Sequence, residues 1–436
     1  MPERATGEVW SAIKELQSLP NGERNEYTYR LPLIKLLEEL FITDIEYAYE
    51  KKADILFFTT QKESLEHLKS QFDRKATYHN SAEKNYVNAL NQCFCELVEL
   101  ALLVQEKYGF VIDELPPPFS VFSDTSAKYD NFEKLNDVLR NKFINFVCLR
   151  LGDISRYLLD YNTARMFYER SVKACPTDGQ AYNQIGLIET AAHDSLDALF
   201  WHVCAINTLE PFTPAAANIE NLYKKFFSVN LLETTDHFIT RLSELLRSEN
   251  VNIIRLGMHF VILVSIWNNM VNSTSEIKCA DYIASVISDQ FFYIIERFVN
   301  DQYINDEKSK VLSVIWIFAS WLDEKKVAVA KKAPKEAPWL EYFAKFLDTL
   351  KTEKEFKNEV EPLQYFCPLA SFNFKNVDAM SLFLRMKSIF YRILRFYRIS
   401  ETPDADFLAF FKENHDLFVE ERRMRTSHTV PILSSL

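Results

Sequence analysis

Glycine and proline are scarce in this sequence. Only 7 glycines and 15 prolines occur in 436 residues, whereas globular proteins average roughly 7% and 5% of these residues. The tight turns of β-hairpins depend on glycine, and so do the loops that bind phosphates or dinucleotides. The composition therefore argues against a hairpin-rich β-protein and against a nucleotide-binding loop. It favours long helices joined by short connections.

The chain also lacks an excess of basic charge and a long apolar run. Its formal net charge is −11, which argues against a surface that binds nucleic acid as a whole. The longest apolar run, residues 260–267, is far too short to cross a bilayer. Residues 1–15 carry charges and no apolar core of a signal sequence. We expect no membrane partner and a cytoplasmic location, with or without shuttling to the nucleus.

Catalytic and metal-binding patterns are missing as well. The seven cysteines are an odd number without C-x-x-C spacing, which predicts buried free thiols in a reducing compartment. Cys93 and Cys95 would point to opposite sides of a helix, so we expect no shared metal. His193, Asp194 and His202 have no serine or cysteine placed by sequence to use them as a base. We expect no cofactor, no metal and no enzyme activity.

A 34-residue internal repeat is the most informative feature that the chain does contain. Gly152 and Gly186 are 34 residues apart, and so are Ala164 and Ala198. This is the period of the tetratricopeptide repeat, in which small residues let two antiparallel helices approach closely. The sequence therefore predicts two tetratricopeptide hairpins over about residues 148–211.

Helical periodicity extends beyond the repeat. Apolar residues recur at spacings of three and four, which predicts long helices over 44–72 and 81–110. Three consecutive prolines lie in the segment 113–129, so we predict a loop there, ordered by docking of Phe119 and Phe122. The chain is predicted to be all-α.

An arginine in the first repeat departs from ordinary tetratricopeptide usage. Arg156 and Tyr157 follow Gly152 where an aromatic or apolar residue is usual. The pair resembles the Arg-Tyr motif with which 14-3-3 proteins bind the phosphate of a phosphoserine peptide. Together with residues 179–184 (GQAYNQ) and 197–198 (DA), it resembles the SMG family of nonsense-mediated mRNA decay factors, which are Est-one-related.

Two more stretches carry the same resemblance, so that it covers most of the chain. They are residues 45–52 and residues 363–378, although Tyr365 replaces the family's usual glycine. The SMG-five type has an insertion that is missing here between Arg156 and Ala164, and the SMG-six type ends in a nuclease domain that would need a longer chain. The sequence is most similar to the SMG-seven type.

The resemblance implies both a fold and a function. The fold is a 14-3-3-like domain over residues 1–228, which contains the two tetratricopeptide hairpins, followed by a C-terminal helical-hairpin domain over 229–436. The function is that of a non-catalytic adaptor that binds phosphoserine or phosphothreonine on the Up-frameshift RNA helicase of the decay pathway. An SMG-five-type protein would be its heterodimer partner, with no direct contact to nucleic acid.

Five residues form the phosphopeptide site that the resemblance implies. Arg156 would bind the phosphate through its planar fork of donors, and Tyr157 would add a hydroxyl. Asn183 would hold the peptide backbone. Lys62 matches the family's other phosphate-binding cation, and Lys69 lies on the same helix face two turns away.

Each of these residues also has a structural interpretation. Arg156 could form an ion pair with Asp153 or Asp160 on its own helix. Tyr157 and Asn183 could be core polar groups, because buried polar side chains normally find partners whatever the function.

Basic residues permit further interpretations. Lys62 could pair with Glu63 or Glu66, which are close in sequence. The basic stretches 325–338 and 391–398 could bind RNA or single-stranded DNA, although an exposed loop and a core helix explain them better. The resemblance also implies an alternative function, because some relatives in the family are telomerase accessory subunits that bind RNA or single-stranded DNA through a basic face.

Overall fold

The structure is a computed structural model. It describes residues 6–20, 23–74, 79–119, 135–192, 195–226 and 253–271, and isolated positions between 287 and 321. The backbone forms two compact units, Met1–Pro176 and Thr177–Leu436. The predicted boundary between 228 and 229, the basic stretches and the segment 363–378 lie outside the described residues, so the predicted domain division stays a prediction.

The described secondary structure is helical, apart from one isolated bridge between Asp178 and Glu210. This confirms the all-α prediction for that part of the chain. In the first unit the helices are α1 (Thr6–Gln17), α2 (Leu31–Thr43), α3 (Ile45–Glu50), α4 (Ala53–Arg74), α5 (His79–Tyr108), α6 (Asp137–Tyr157) and α7 (Tyr161–Ala174). In the second unit they are α8 (Gly179–Ala191), α9 (Ser195–Asn207), α10 (Ala215–Phe226) and α11 (Ile253–Val271).

The core of the first unit is built around the ring of Phe41 on α2. Its centroid lies 5.6 Å from that of Tyr49, 5.9 Å from Phe143 and 6.2 Å from Phe146. Aromatic pairs at these distances add to the stabilisation from apolar burial. Helices α2, α3 and α6 are thereby held together.

Helix α5 contributes the longest apolar face to this core. Leu90, Leu97, Leu100 and Val104 are all fully buried, as their spacing predicts. By length and composition alone, α5 would suffice to cross a bilayer. One such helix is weak evidence of a membrane span, because core helices of soluble proteins pass the same test, and several apolar residues of α5 lie in the core of the first unit.

The prediction of a single helix over 44–72 is wrong in one respect, because the structure has two helices there, α3 and α4. Asp44 caps α3 by accepting a hydrogen bond from the backbone N–H of Tyr47 at 2.9 Å, as an N-cap should. The chain then turns at Lys52, whose φ of 57° is left-handed, and α4 begins at Ala53. The buried residues keep a helical spacing across the break, so periodicity alone could not reveal it.

Each copy of the repeat forms a helical hairpin. Helix α6 packs along α7 in the first unit, and α8 packs along α9 in the second. In the second unit, α10 and α11 also pack against α9, where Asn207 donates a hydrogen bond to Ser265 at 3.2 Å. The ring of Tyr182 lies 6.1 Å from that of Trp201 between α8 and α9.

Of the proline-rich loop predicted over 113–129, the structure describes 113–119, which are not helical, as predicted. Phe119 is buried, and its ring meets that of Phe167 edge to face at 6.0 Å. The prediction that Phe119 docks on a neighbouring helix is therefore confirmed. Phe122 lies outside the described residues.

Candidate functional site

Arg156 lies in the last turn of α6, where the first hairpin turns back. Its side chain is half-buried, and the centre of its guanidinium lies 4.6 Å from the centroid of the Tyr157 ring. Tyr157 itself is 41% exposed. A guanidinium over an aromatic face is attracted by the ring's negative π-surface, so Tyr157 supports the arginine from one side.

A buried polar cluster supports Arg156 from the other side. Tyr168 on α7 donates a hydrogen bond from its hydroxyl to Oδ1 of Asp153 at 2.9 Å. Oδ2 of the same carboxylate accepts from Nη1 of Arg150 at 2.8 Å. Arg156 reaches this cluster through Nε, which lies 3.4 Å from the Tyr168 hydroxyl.

The ion pair predicted as an alternative for Arg156 does not appear among the described contacts. Asp153 is used by Arg150 and Tyr168, and Asp160 instead caps α7 by accepting from the N–H of Thr163 at 3.2 Å. Of the five N–H donors of Arg156, only the one on Nε has a partner among the residues that the structure describes. Its Nη1 and Nη2 groups carry four donors that an anion could use.

The charges of this cluster are well defined. Burial, and then the negative charge of Asp153, raise the pKa of Tyr168 well above its ordinary value, so the hydroxyl remains a donor at neutral pH. Burial acts to lower the pKa of Arg156, but the neighbouring Tyr168 and Tyr157 outweigh it and the pKa is raised. The guanidinium is therefore cationic at any physiological pH.

Lys62 and Lys69 are both exposed on α4. Lys62 lies 3.4 Å from Glu66, which is the ion pair expected if its role is structural. The structure places these two cations on another helix of the same unit as Arg156.

Side chains of α4 and α6 approach each other at two points. The guanidinium of Arg150 lies 3.7 Å from the centroid of the Phe58 ring, and the ring of Phe57 lies 6.2 Å from that of Phe146. Lys62 follows Phe58 by four residues and so shares its side of α4. Lys62 is exposed there, one turn beyond Phe58.

Asn183, the fifth predicted site residue, belongs to α8 in the second unit. It is buried, and its Oδ1 lies 2.9 Å from Nδ1 of His202 and accepts from Nδ2 of Asn218 at 2.9 Å. Burial lowers the pKa of His202 to about 4, so the imidazole is neutral and its Nδ1–H donates to Asn183. The side-chain oxygen of Asn183 is thus used by neighbouring core residues, as the structural interpretation of Asn183 expects. Its Nδ2 has no partner among the described residues.

Sequence reasoning missed Tyr168 and Arg150 as members of the arginine cluster. Asp153 lies three residues from both Arg150 and Arg156, so spacing alone could not decide which arginine it pairs with. Tyr168 lies on α7, the second helix of the first hairpin, 16 residues after Gly152. Because Gly152 has no side chain, the Tyr168 ring can lie against α6. Its hydroxyl there reaches Asp153, the residue that follows Gly152.

A second buried cluster was also missed. Arg30, at the end of a π-helical turn over Glu26–Arg30, donates to Glu96 on α5 at 2.8 Å. Gln61 on α4 donates to the same carboxylate at 3.0 Å. The cluster joins the π-helical turn before α2 to α4 and α5, and no local sequence signal connects residues so far apart.

The prediction of buried free thiols is confirmed for Cys93, Cys148 and Cys204, but it is wrong for Cys95, which is exposed, and for Cys175, which is half-buried. Cys93 is buried and Cys95 is exposed, which confirms that they point to different sides of α5. Burial raises the pKa of Cys93 to about 11, so its thiol is unreactive at neutral pH. No group of three metal-ligating side chains occurs among the described residues.

Comparisons with known proteins point to one group. A family model described as the Est1 DNA/RNA binding domain matches residues 164–267. The nonsense-mediated mRNA decay factor SMG7 of Danio rerio is 24% identical over 243 residues, which are 51% of this chain and 19% of the relative. An SMG7-like decay factor of Arabidopsis thaliana is 29% identical over 107 residues, 22% of this chain and 12% of the relative.

Solved structures agree at the level of the fold. A chain from the C. elegans SMG5-SMG7 complex superimposes with a TM-score of 0.64 at 18% identity, over 90% of this chain and 99% of that one. A chain from the crystal structure of Est1 and Cdc13 gives 0.60 at 13% identity, over 97% and 96%. The chain is SMG7-like and Est1-like. This confirms the predicted resemblance and the 14-3-3-like helical class, although the matches span a fifth or less of the curated SMG7 relatives.

Proposed function

We propose that this SMG7-like chain is a non-catalytic adaptor of nonsense-mediated mRNA decay that binds phosphorylated serine or threonine. Its target is the phosphorylated Up-frameshift RNA helicase, and it forms a heterodimer with an SMG5-type protein. It acts in the cytoplasm, with or without shuttling to the nucleus. The observation that carries this proposal is the Arg156 guanidinium, which is charged, stacked on Tyr157 and unpaired at both Nη groups among the described residues.

The chemistry of a phosphate suits this geometry. A phosphoserine brings a charge of about −1.5 to −2 and three strong acceptor oxygens, and the two Nη groups of an arginine can donate to two of those oxygens at once. Lys62 would supply a second cation from α4. Its exposed ion pair with Glu66 is worth less than about 1 kcal/mol, so a phosphate can compete for the ammonium group.

The names of the relatives support the rest of the proposal. The matched relative from Danio rerio is a nonsense-mediated mRNA decay factor. The structurally similar C. elegans chain comes from an SMG5-SMG7 complex, which supports an SMG5-type heterodimer partner for this chain.

Reversal of the charge at Arg156 tests the site. We expect Arg156→Glu to weaken binding of a fluorescent phosphoserine peptide from the helicase by at least about ten- to a hundredfold, because a charge-assisted contact of 1.5 to 3 kcal/mol is lost and a repulsion is added. Fluorescence polarisation measures the affinity. Arg140→Glu is the matched control, since it reverses a charge on the same helix 16 residues earlier. A phosphopeptide affinity equal to that of the wild type in Arg156→Glu would refute the assignment.

The Est1 matches support a second candidate function. They favour a telomerase accessory subunit that binds RNA or single-stranded DNA, and the family model that matches residues 164–267 is described by such binding. A salt titration separates the two functions. Nucleic-acid binding through several phosphates should fall steeply with ionic strength, whereas one phosphoserine should give a shallow slope.

A further inference from the structure

Arg156 is useful as a phosphate receptor only if its fork is held in one orientation. A free arginine side chain has several rotatable bonds, and fixing them on binding costs conformational entropy. In this chain Arg156 has two supports, the Tyr157 ring on one face and the Tyr168 hydroxyl at Nε. The second support leaves both Nη groups for a ligand.

The Tyr168 hydroxyl is itself held in place. It donates its single proton to Oδ1 of Asp153 at 2.9 Å, and the carboxylate is fixed in turn by Arg150 at 2.8 Å. Tyr168 and Asp153 are buried, at 0% and 4% exposure. Because its proton points at the carboxylate, the phenolic oxygen turns its lone pairs away from Asp153, and Arg156 Nε uses one of them.

The direction of these hydrogen bonds affects how well Arg156 can bind a ligand. A hydroxyl that donates to a carboxylate becomes a better acceptor, because hydrogen bonds in a series strengthen each other. A carboxylate in direct contact with Arg156 would instead neutralise the guanidinium and compete with an anionic ligand. The tyrosine therefore fixes the arginine while it keeps Asp153 off the guanidinium.

We propose that Tyr168 is a positioning residue of the phosphopeptide site, which orients Arg156 through Nε so that Nη1 and Nη2 face the ligand. This inference rests on the proposed phosphopeptide binding. Asp153 acts one step further away, as the group that orients the Tyr168 hydroxyl.

Replacement of the hydroxyl alone tests the proposal. Tyr168→Phe keeps the ring that packs against Gly152 and removes the contact to Nε. We expect the affinity for a phosphoserine peptide to fall about fivefold, the effect of losing one long hydrogen bond of about 1 kcal/mol, while binding of the unphosphorylated peptide does not change. Tyr161→Phe, which removes a hydroxyl at the start of α7, is the matched control and should bind like the wild type.

A double-mutant cycle distinguishes positioning from packing. In an Arg156→Lys background, the lysine has no Nε to anchor, so Tyr168→Phe should have almost no further effect on phosphopeptide affinity. An equal loss in both backgrounds would show that Tyr168 acts through packing, and would overturn the inference. Wild-type affinity in Tyr168→Phe itself would do the same.

Two further measurements keep the test decisive. If Tyr168→Phe unfolds at the assay temperature, Asp153→Asn tests the same series of hydrogen bonds. We expect Asp153→Asn to lower the phosphopeptide affinity about two- to fivefold in the wild-type background and to have almost no effect in the Arg156→Lys background. Equal losses of affinity in both backgrounds would overturn the inference. Failure of the wild-type chain to prefer the phosphorylated peptide overturns the proposed function and this inference together. Preference for phosphate without coupling between positions 168 and 156 overturns the inference alone.

Discussion

The glycines of the repeat mark places where no side chain fits. A Cβ atom at Gly152 would lie 2.5 Å from Cε1 of Tyr168, and one at Gly186 would lie 2.7 Å from Cε1 of His202. Tyr168 and His202 are also 34 residues apart. Both hairpins therefore use the same close approach of a ring to a glycine, with a polar ring in each case.

Gly152→Ala tests this packing. We expect the alanine to destabilise the protein by about 1 to 3 kcal/mol, because its methyl group overlaps a buried ring that cannot move aside. Urea unfolding measures the change. Gly7→Ala on α1 is the control, since a Cβ there meets nothing within 4 Å and should be neutral or slightly stabilising. Equal stability of the Gly152→Ala protein and the wild type would contradict the packing argument.

At the scale of single residues, the features that could be predicted are those that depend on the spacing of residues along the chain. The small residues of the repeat and Arg156 follow from a fixed period and a local motif. The partners of Arg156 did not follow, because Asp153 has an arginine three residues away on either side. Only the position of the Tyr168 hydroxyl decides which arginine pairs with the carboxylate and which one is left for a ligand.

At the scale of helices, periodicity located the elements but not their breaks. Helix α5 lies at His79–Tyr108 where 81–110 was predicted. The break between α3 and α4 was missed because it contains neither glycine nor proline. It lies at Lys52, whose φ of 57° is a left-handed conformation that is unfavourable for an L-residue but not for glycine.

Lys52→Gly should therefore stabilise the protein. We expect a gain of about 0.5 to 1 kcal/mol in the free energy of unfolding, since relief of the left-handed strain exceeds the extra entropy of glycine in the unfolded chain. Lys51→Gly is the control, because Lys51 has φ −83° and gains nothing from glycine. Thermal unfolding of the two variants compares them directly. A Lys52→Gly protein no more stable than Lys51→Gly would show that the turn is not strained.

At the scale of the whole molecule, the fold class could be predicted from the sequence, but the buried ion pair between Arg30 and Glu96 could not. Low glycine content and helical periodicity indicate an all-α chain whatever its details. The contact of Arg30 with Glu96 joins residues 66 apart in sequence, and no periodic pattern encodes such a pair. The proposed site has the same character, since Arg156 on α6 and Lys62 on α4 come from separate helices.

The most direct test of the account concerns phosphorylation of the partner. The tagged wild-type chain and Arg156→Glu are used to capture the Up-frameshift RNA helicase from cell extract, with and without prior phosphatase treatment. We expect capture by the wild type only, and loss of that capture after phosphatase treatment. Equal capture of the phosphorylated and dephosphorylated helicase by the wild-type chain would contradict the claim that Arg156 reads a phosphate.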